Sequence, residues 1–283
     1  MVAKTGTLYM CATPIGNLED MTFRAVRILQ EVDLIAAEDT RNSIRLLQHF
    51  DIHTPMTSYH EYNKIEKGRS LVGRLLSGQN IALITDAGMP GISDPGEELV
   101  RMCLEANIPV TAIPGACACV TALTISGLST RRFCFEAFLP SDKKERKQIL
   151  LGLKEETRTT VLYEAPHRLK KTLKELYETL GDRKIALCRE LTKKYETVLS
   201  MTLTEALAYY EQKEPRGEYV LILEGRSRSS IEKEEHETYQ KMPIEEHMKL
   251  YEEQGMDRKE AMKQVAKDRG VSKREIYQAL LQG

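Results

Sequence analysis

Carboxylates and glycines gather at the ends of short apolar runs in this 283-residue sequence, and those are the places where chemistry is possible. The densest case lies between Ile81 and Gly96. Ile81-Ala82-Leu83-Ile84 fits a buried strand. Asp86, three glycines and two prolines then follow within eleven residues, which excludes regular structure. Asp94-Pro95 followed by Glu97-Glu98 predicts an N-cap, a proline in the first turn and acids beside the helix N-terminus. The reading is strand, wide glycine-rich loop, helix. Such a loop lies at the carboxyl end of a parallel sheet, where ligands bind, and its glycines let a ligand approach the main chain. At about twice the usual ~2–6 residues it is too long for a plain βα connection.

Other strand-end loops would converge with it on one cleft: Thr13 to Asn17, Glu38 to Arg41, Ile113 to Ala116, Tyr163 to Arg168 and Leu191 to Lys193. A cofactor in that cleft is constrained by what is missing. There is no G-x-x-x-x-G-K-[ST] triphosphate loop and no G-x-G-x-x-G after the first strand. The glycine-rich loop carries no cluster of Lys or Arg to hold phosphates. A cofactor without phosphates fits better, and S-adenosylmethionine, with its carboxylate, ammonium, sulfonium and adenosine, suits Asp86 and the loop's main chain. Six cysteines without a C-x-x-C pair and six histidines without H-E-x-x-H predict buried free thiols and no metal site.

The elements that must position these loops alternate. Strands are predicted at 7–12, 34–37, 55–59, 81–85 and 109–113, with helices at 22–31, 41–50, 67–77, 95–106 and 116–126. Phe23, Val26 and Leu29 share one side of the first of these helices. This alternation predicts an α/β domain over 1–126 with a largely parallel sheet. After a linker at 127–132, a second α/β domain runs to 225. Its strands are 133–139, 159–163, 184–189, 196–202 and 219–223, and its helices 143–156, 166–180 and 204–212. Residues 226–241 read as a linker or a solvated helix. Residues 242–283 read as a small helical domain ending in helix, Gly270-Val271-Ser272 and helix, which resembles a helix-turn-helix.

Charge is uneven although the net is −1. Residues 1–126 carry 10 Lys/Arg against 14 Asp/Glu, residues 127–225 carry 19 against 16, and residues 258–274 carry 7 against 2. A polyanion would find footholds in the middle and at the end, at Arg131, Arg132, Lys143, Lys144, Arg146, Lys147 and Arg168, and then Lys273 and Arg274. No apolar run approaches the ~20 residues of a membrane span. The start lacks a secretory h-region, because Leu8 to Ala12 is short and runs into Pro14, so a cytoplasmic protein is expected.

Taken together, Thr13-Pro14-Ile15-Gly16-Asn17, Ala37-Glu38-Asp39-Thr40-Arg41, the run Asp86 to Gly96, Tyr163-Glu164-Ala165-Pro166-His167-Arg168, Glu190-Leu191-Thr192-Lys193 and Gly217-Glu218-Tyr219-Val220 resemble the tetrapyrrole methylase superfamily. Within it they are most similar to the branch acting on small-subunit ribosomal RNA. The resemblance spans about 5–225 and the C-terminal helices. Members acting on porphyrin and corrin carbons usually carry Gly-Gly-Asp-Pro where this chain has Asp86-Ala87-Gly88-Met89-Pro90, and that departure favours the RNA branch. The resemblance implies 2′-O-methylation of a cytidine in the decoding region of 16S ribosomal RNA, with S-adenosylmethionine as donor, by a homodimer acting on the RNA or the 30S subunit. Pro14, Asp86, Ala87, Gly88, Met89, Ile92, Ser93, Ala116, Tyr163, Ala165, Leu191 and Thr192 are then the expected cofactor contacts. Glu38 or Asp39 is the expected base, and Lys193 or Arg41 its electrostatic support, since a ribose hydroxyl needs help to ionise. Glu38 to Arg41 could instead simply form an ion pair. Three other readings compete: a tetrapyrrole C-methylase, a non-enzymatic nucleic-acid-binding regulator, and a nicotinamide enzyme.

Overall fold

The computed structural model describes residues 5–282; the first four residues and Gly283 of the expected domain spans lie outside the described residues. Five short strands open the chain: β1 (Leu8–Cys11), β2 (Leu34–Ala37), β3 (Met56–Ser58), β4 (Ile81–Ile84) and β5 (Val110–Ile113). They form one sheet in the order β3-β2-β4-β1-β5, every pair parallel. Strands β2 and β4 are apolar and buried along their whole length, as a sheet covered on both faces requires. Alternate residues feed two cores. Leu8, Met10, Leu34, Leu83 and neighbours pack with Leu71, Leu75, Leu99 and Cys103 of α3 (Lys64–Leu76) and α4 (Glu97–Glu105). Cys11, Ile35, Ala82 and Ile84 pack with Ala25, Ile28, Leu29 and Leu47 of α1 (Phe23–Glu31) and α2 (Thr40–His49).

The second sheet contains β6 (Phe133–Phe138), β7 (Thr159–Glu164), β8 (Lys184–Arg189), β9 (Thr197–Thr202) and β10 (Tyr219–Leu223), in the order β6-β7-β10-β8-β9. Only β6 and β7 run parallel. One face is covered by α6 (Lys143–Glu155), α7 (Pro166–Leu180) and α8 (Leu203–Gln212). On the other face Val161, Ala186, Cys188, Val220 and Ile222 meet Cys119, Ala122 and Leu123 of α5 (Ala118–Ile125), together with Ile15 from the loop after β1. Helix α5 therefore ties the two sheets into one compact unit, residues 1–154 and 158–224.

The second unit, 155–157 and 225–283, contains α9 (Arg228–Lys241), α10 (Ile244–Glu253), α11 (Arg258–Asp268) and α12 (Lys273–Gln282). Its core is Met248, Ala261, Val265, Ala266 and Ile276. Residues 226–241 are thus mostly helix. The turn between α11 and α12 uses Gly270 at φ +63, and Ser272 exchanges bonds with Glu275 in a capping box. No helix among the described residues is long and apolar enough to cross a membrane.

Four expectations need correction. Phe23 does not face the core. It is 98% exposed, and Ala25, Ile28 and Leu29 take the buried stripe of α1. Asp94 does not cap α4 and Pro95 is not helical; Gly96 takes the cap position with no side-chain bond. Arg146 is not a surface cation. It is 5% exposed, with Nε donating to Glu175 Oε2 at 2.6 Å and Nη2 to Thr172 Oγ1 at 2.7 Å. Arg168 also turns inward, to the Leu139 carbonyl and to Glu164. Thr172 Oγ1 in turn donates to Glu164 Oε2, so a buried polar chain joins α6, α7 and the end of β7.

Breaking a buried charge pair leaves its partner uncompensated. Arg146→Ala should therefore cost about 3 kcal/mol in urea unfolding, the low end of the range because Glu175 stays partly exposed. Its neighbour Lys147, which is exposed, should tolerate alanine within about 0.5 kcal/mol. Equal costs for the two variants would contradict this assignment.

Candidate active site

In a parallel sheet every loop that follows a strand leaves from the same edge. Because β2, β4 and β1 are neighbours, the loops carrying Glu38, Asp86 and Thr13 are neighbours too. Thr13 and Gly88 exchange two main-chain bonds, N–H to carbonyl at 2.9 and 3.1 Å, and Thr13 Oγ1 donates to the Thr85 carbonyl at 3.0 Å. The glycine-rich loop is thereby pinned at its start. Gly88 and Gly91 have φ +88 and +83, and a Cβ on Gly96 would lie 2.9 Å from the Gly91 nitrogen. These positions need glycine because the loop folds back on itself. Ser93 also takes a positive φ, +72.

A cavity of about 510 Å³ opens beside this loop, within the size range of sites for cofactors. From the first sheet it takes Glu38, Asp86, Ala87, Gly88, Met89, Ile92, Ser93 and Asp94. From the second it takes Tyr163, Glu164, Ala165, His167, Glu190, Leu191, Lys193 and Glu218. Eleven residues expected at the site therefore line one cavity: Glu38, Lys193, Asp86, Ala87, Gly88, Met89, Ile92, Ser93, Tyr163, Ala165 and Leu191. Pro14, Asp39, Arg41, Ala116 and Thr192 are not among the lining residues. Pro14 is buried, and the Ala116 carbonyl lies against Gly88. Asp39 caps α2 and pairs with Arg41 at 2.7 Å; Arg41's bonds hold its carboxyl down to about 2. The Arg41 side chain is 88% exposed, so the Glu38 to Arg41 stretch divides: Glu38 inward, the ion pair outward.

The electrostatics are one-sided. Six carboxylates line the cavity, and Lys193 is its single Lys or Arg. That lysine is already taken: Nζ donates to Glu218 Oε2 at 2.8 Å and Glu190 Oε1 at 3.2 Å. Burial pulls its ammonium down, and the bonds to Glu218 and Glu190 more than reverse this, so it stays charged. Its stem crosses Gly16, where a Cβ would lie 2.4 Å from Lys193 Cγ. Glu190 and Thr192 hold φ +52 and +62 in the turn that delivers the lysine. On the other wall Thr85 Oγ1 donates to Glu38 Oε2 at 2.5 Å, and Asn42 Nδ2 donates to Asp86 Oδ2 at 2.9 Å. Burial and the nearby Glu38 push the Asp94 carboxyl up to about 7, with Asp86 adding to the shift.

Asp94, Cys117, Glu190 and Glu218 line the cavity without having been expected there, while His167 lies in a loop that was expected to reach it. Asp94 was hidden by a plausible local role as a cap. Cys117 could have been found from Cys117-Ala118-Cys119, the one close cysteine pair, at the start of a predicted helix. The two sulfurs lie 3.4 Å apart, and all six cysteines are free, as expected, although Cys117 and Cys134 are only partly buried. Sharing a hydrogen bond with Cys119, and facing the N–H groups that open α5, lowers the Cys117 thiol; Cys119 and the buried Cys11, Cys103 and Cys188 are raised. Among the described residues no group of three His, Cys, Asp or Glu side chains is placed to hold a metal ion.

Comparison with known proteins adds three findings. Residues 7–207 match the family of tetrapyrrole (corrin/porphyrin) methylases. The chain is 52% identical to ribosomal RNA small subunit methyltransferase I of Halalkalibacterium halodurans, over 96% of this chain and 93% of that one. It is 47% identical to the Bacillus subtilis protein of the same name, over 97% and 94% of the two chains. In fold it is similar to Thermus thermophilus uroporphyrin-III C-methyl transferase complexed with S-adenyl homocysteine, with TM-score 0.55, 21% identity and coverage of 77% and 97%. It is also similar to cobalt precorrin-4 methyltransferase, with TM-score 0.53, 16% identity and coverage of 76% and 94%.

Brief alkylation with iodoacetamide near pH 7, read by mass spectrometry, should label Cys117 before the other five cysteines. Cys119→Ala should slow that labelling by removing the hydrogen bond that lowers the Cys117 thiol. Prior labelling of Cys134, the other partly exposed cysteine, would contradict it.

Proposed function

The chain belongs to the tetrapyrrole methylase family, and from that premise we propose that it methylates small-subunit ribosomal RNA with S-adenosylmethionine, at a cytidine 2′-hydroxyl in the decoding region of the 16S molecule. The observation that carries this is the charge of the cavity. Six carboxylates and one occupied lysine suit a ligand that is cationic and free of phosphates. S-adenosylmethionine has a net charge of about +1 at neutral pH, and the cavity's apolar patches, Ile15, Met89, Phe138 and Leu191, suit its adenosine and methionine carbons. The resemblance to ribosomal RNA methyltransferases over nearly the whole chain supports RNA as acceptor rather than a porphyrin.

When bound, the donor supplies an electrophilic methyl group on sulfur. The chain's own part is alignment and proton handling, and alignment alone is worth an effective molarity of ~10⁵ M or more. The main chain of Gly88 to Ile92 and the Asp86 carboxylate hold one side. Lys193, braced by Glu190 and Glu218, fixes the wall opposite. Glu38, at the cavity and in reach of the Thr85 hydroxyl, is the acceptor for the proton of the attacking hydroxyl. Asp39 and Arg41, paired outside the cavity, hold the start of α2 instead. Arg131, Arg132, Lys143, Lys144 and Lys147 are exposed and would meet RNA phosphates, as would Lys273 and Arg274 of the helical unit. Such contacts orient an RNA without reading it, so we take the shape of the assembled 30S subunit as the specific signal. A homodimer is part of the same reading, as is a cytoplasmic location.

Incubation with labelled donor and either 30S subunits, naked 16S RNA or a uroporphyrinogen should label the RNA of the subunits. The labelled nucleotide should resist alkaline cleavage, because a 2′-O-methyl group blocks attack on the adjacent phosphate. Glu38→Gln should lower kcat by ~100-fold or more. Label confined to the tetrapyrrole would refute the acceptor assignment.

A further inference from the structure

Among the described residues, two large apolar side chains line the cavity and are nonetheless exposed: Ile92, at 40%, and Phe138, at 46%. Phe138 is the aromatic one, and the strand that carries it is shaped to present it. Strand β6 pairs in parallel with β7, and the register shifts between Phe135 and Ala137. Phe135 pairs with Val161 and Phe138 with Tyr163, so Glu136 is the extra residue of a β-bulge. Side chains alternate along a strand, so residues three apart ordinarily face opposite sides. The bulge cancels that alternation and puts both phenylalanines on the face of Val161 and Tyr163. Ala137 takes φ +50 beside it, a conformation that an alanine holds only where its surroundings impose it.

The ring so placed is braced. Phe135 and Phe138 meet the Tyr163 ring edge to face, with centroids 5.0 and 5.5 Å away. The Tyr163 hydroxyl accepts the Cys119 N–H at 3.1 Å. A side chain already ordered in this way loses little further freedom when a ligand packs on it.

We propose that Phe138 is the stacking platform for the base of the nucleotide to be methylated. The inference deepens the RNA-acceptor reading and rests on it. A ribose hydroxyl reaches a methyl donor in the cavity only if its own nucleotide comes to the mouth, and the parts of that nucleotide have different needs. Its phosphates are repelled by the six carboxylates of the cavity and find cations on α6, which follows β6 in the chain and opens with the exposed Lys143 and Lys144. Its base is uncharged and planar and, once parted from its neighbours in the RNA, takes an aromatic face in their place. Of the apolar residues that suit the donor, Ile15 and Leu191 are buried and Met89 is half-buried; Phe138 alone leaves much of its surface to a second ligand. Stacking accepts any base, so the platform positions the nucleotide without choosing it.

Methyl transfer from labelled donor to 30S subunits tests this. Phe138→Ala and Phe138→Leu should each lower kcat/KM by about 10-fold or more, the worth of one base–aromatic stack. Phe138→Tyr and Phe138→Trp keep a ring face and should stay within about 3-fold. Donor affinity, measured by calorimetry, should fall by less than activity does. The chain contains no tryptophan, so the fluorescence of Phe138→Trp reports from this one place. With S-adenosylhomocysteine present, naked 16S RNA should quench it, and heparin, a polyanion without bases, should not.

Phe138→Leu as active as Phe138→Trp, or equal quenching by RNA and heparin, would overturn the inference. A loss of donor affinity matching the loss of activity would overturn it by assigning the ring to the donor's adenine. A changed sedimentation coefficient in Phe138→Ala would do so by assigning the ring to a contact between copies. Failure of the unsubstituted protein to methylate RNA would overturn the acceptor reading itself, and the inference with it.

Discussion

The site depends on one exchange of main-chain hydrogen bonds, that between Thr13 and Gly88. Each such bond is worth only about 1 kcal/mol net. Their effect is geometric. They hold the loop after β4 against the loop after β1, so the glycine-rich segment cannot collapse onto the sheet edge. Gly88 must then take a positive φ, and Ile15, one turn of chain from Thr13, is free to reach the core beneath the second sheet. The same two bonds therefore shape the cavity rim and join the two sheets. The Thr13 hydroxyl extends the arrangement by fixing the Thr85 carbonyl, which leaves the Thr85 hydroxyl aimed at Glu38.

The first sheet was legible because its signals are local. Ile81 to Ile84 or Leu34 to Ala37 can be little else than buried parallel strands once helices flank them. The glycine loop announced itself by composition, and eleven of the residues expected at the site line one cavity. What was not legible depends on direction. Arg146 and Lys147 are neighbours in a basic run, and nothing in the run says that one points at Glu175 and the other at water. Helical phase decides it, with Leu150 and Leu153 marking the buried side of α6. Asp94 failed for a related reason. Asp-Pro before two glutamates is a good helix start, and the chain uses Gly96 there only because the loop must first fold over Gly91.

The division of charge separates two tasks. The cavity is acidic, and the exposed cations Arg131, Arg132, Lys143, Lys144 and Lys147 are not among its lining residues. A polyanion and a cation bound by one surface of mixed sign would compete for the same side chains. Here the single lysine of the cavity is neutralised by Glu190 and Glu218, so a phosphate has little to hold there. Near-zero net charge has the same consequence at larger scale. General attraction to nucleic acid is weak, and recognition must come from a shaped surface.

The two walls of the cavity differ in how their carboxylates are partnered. The Lys193 wall is satisfied: one ammonium, two carboxylates, a positively twisted turn at Glu190 and Thr192, and a glycine that lets the stem pass. Removing Lys193 would leave Glu190 and Glu218 without their shared cation. The Glu38–Asp94 wall is under-supplied. Glu38 accepts from the Thr85 hydroxyl and Asp86 from the Asn42 amide, Asp94 lies on the same lining, and none of the three is bonded to a cation among the described residues. A cationic ligand meets uncompensated carboxylates on this side, whereas the lysine side is already neutralised by its own partners, so it is the acidic wall that favours a charged ligand over a neutral one of the same shape.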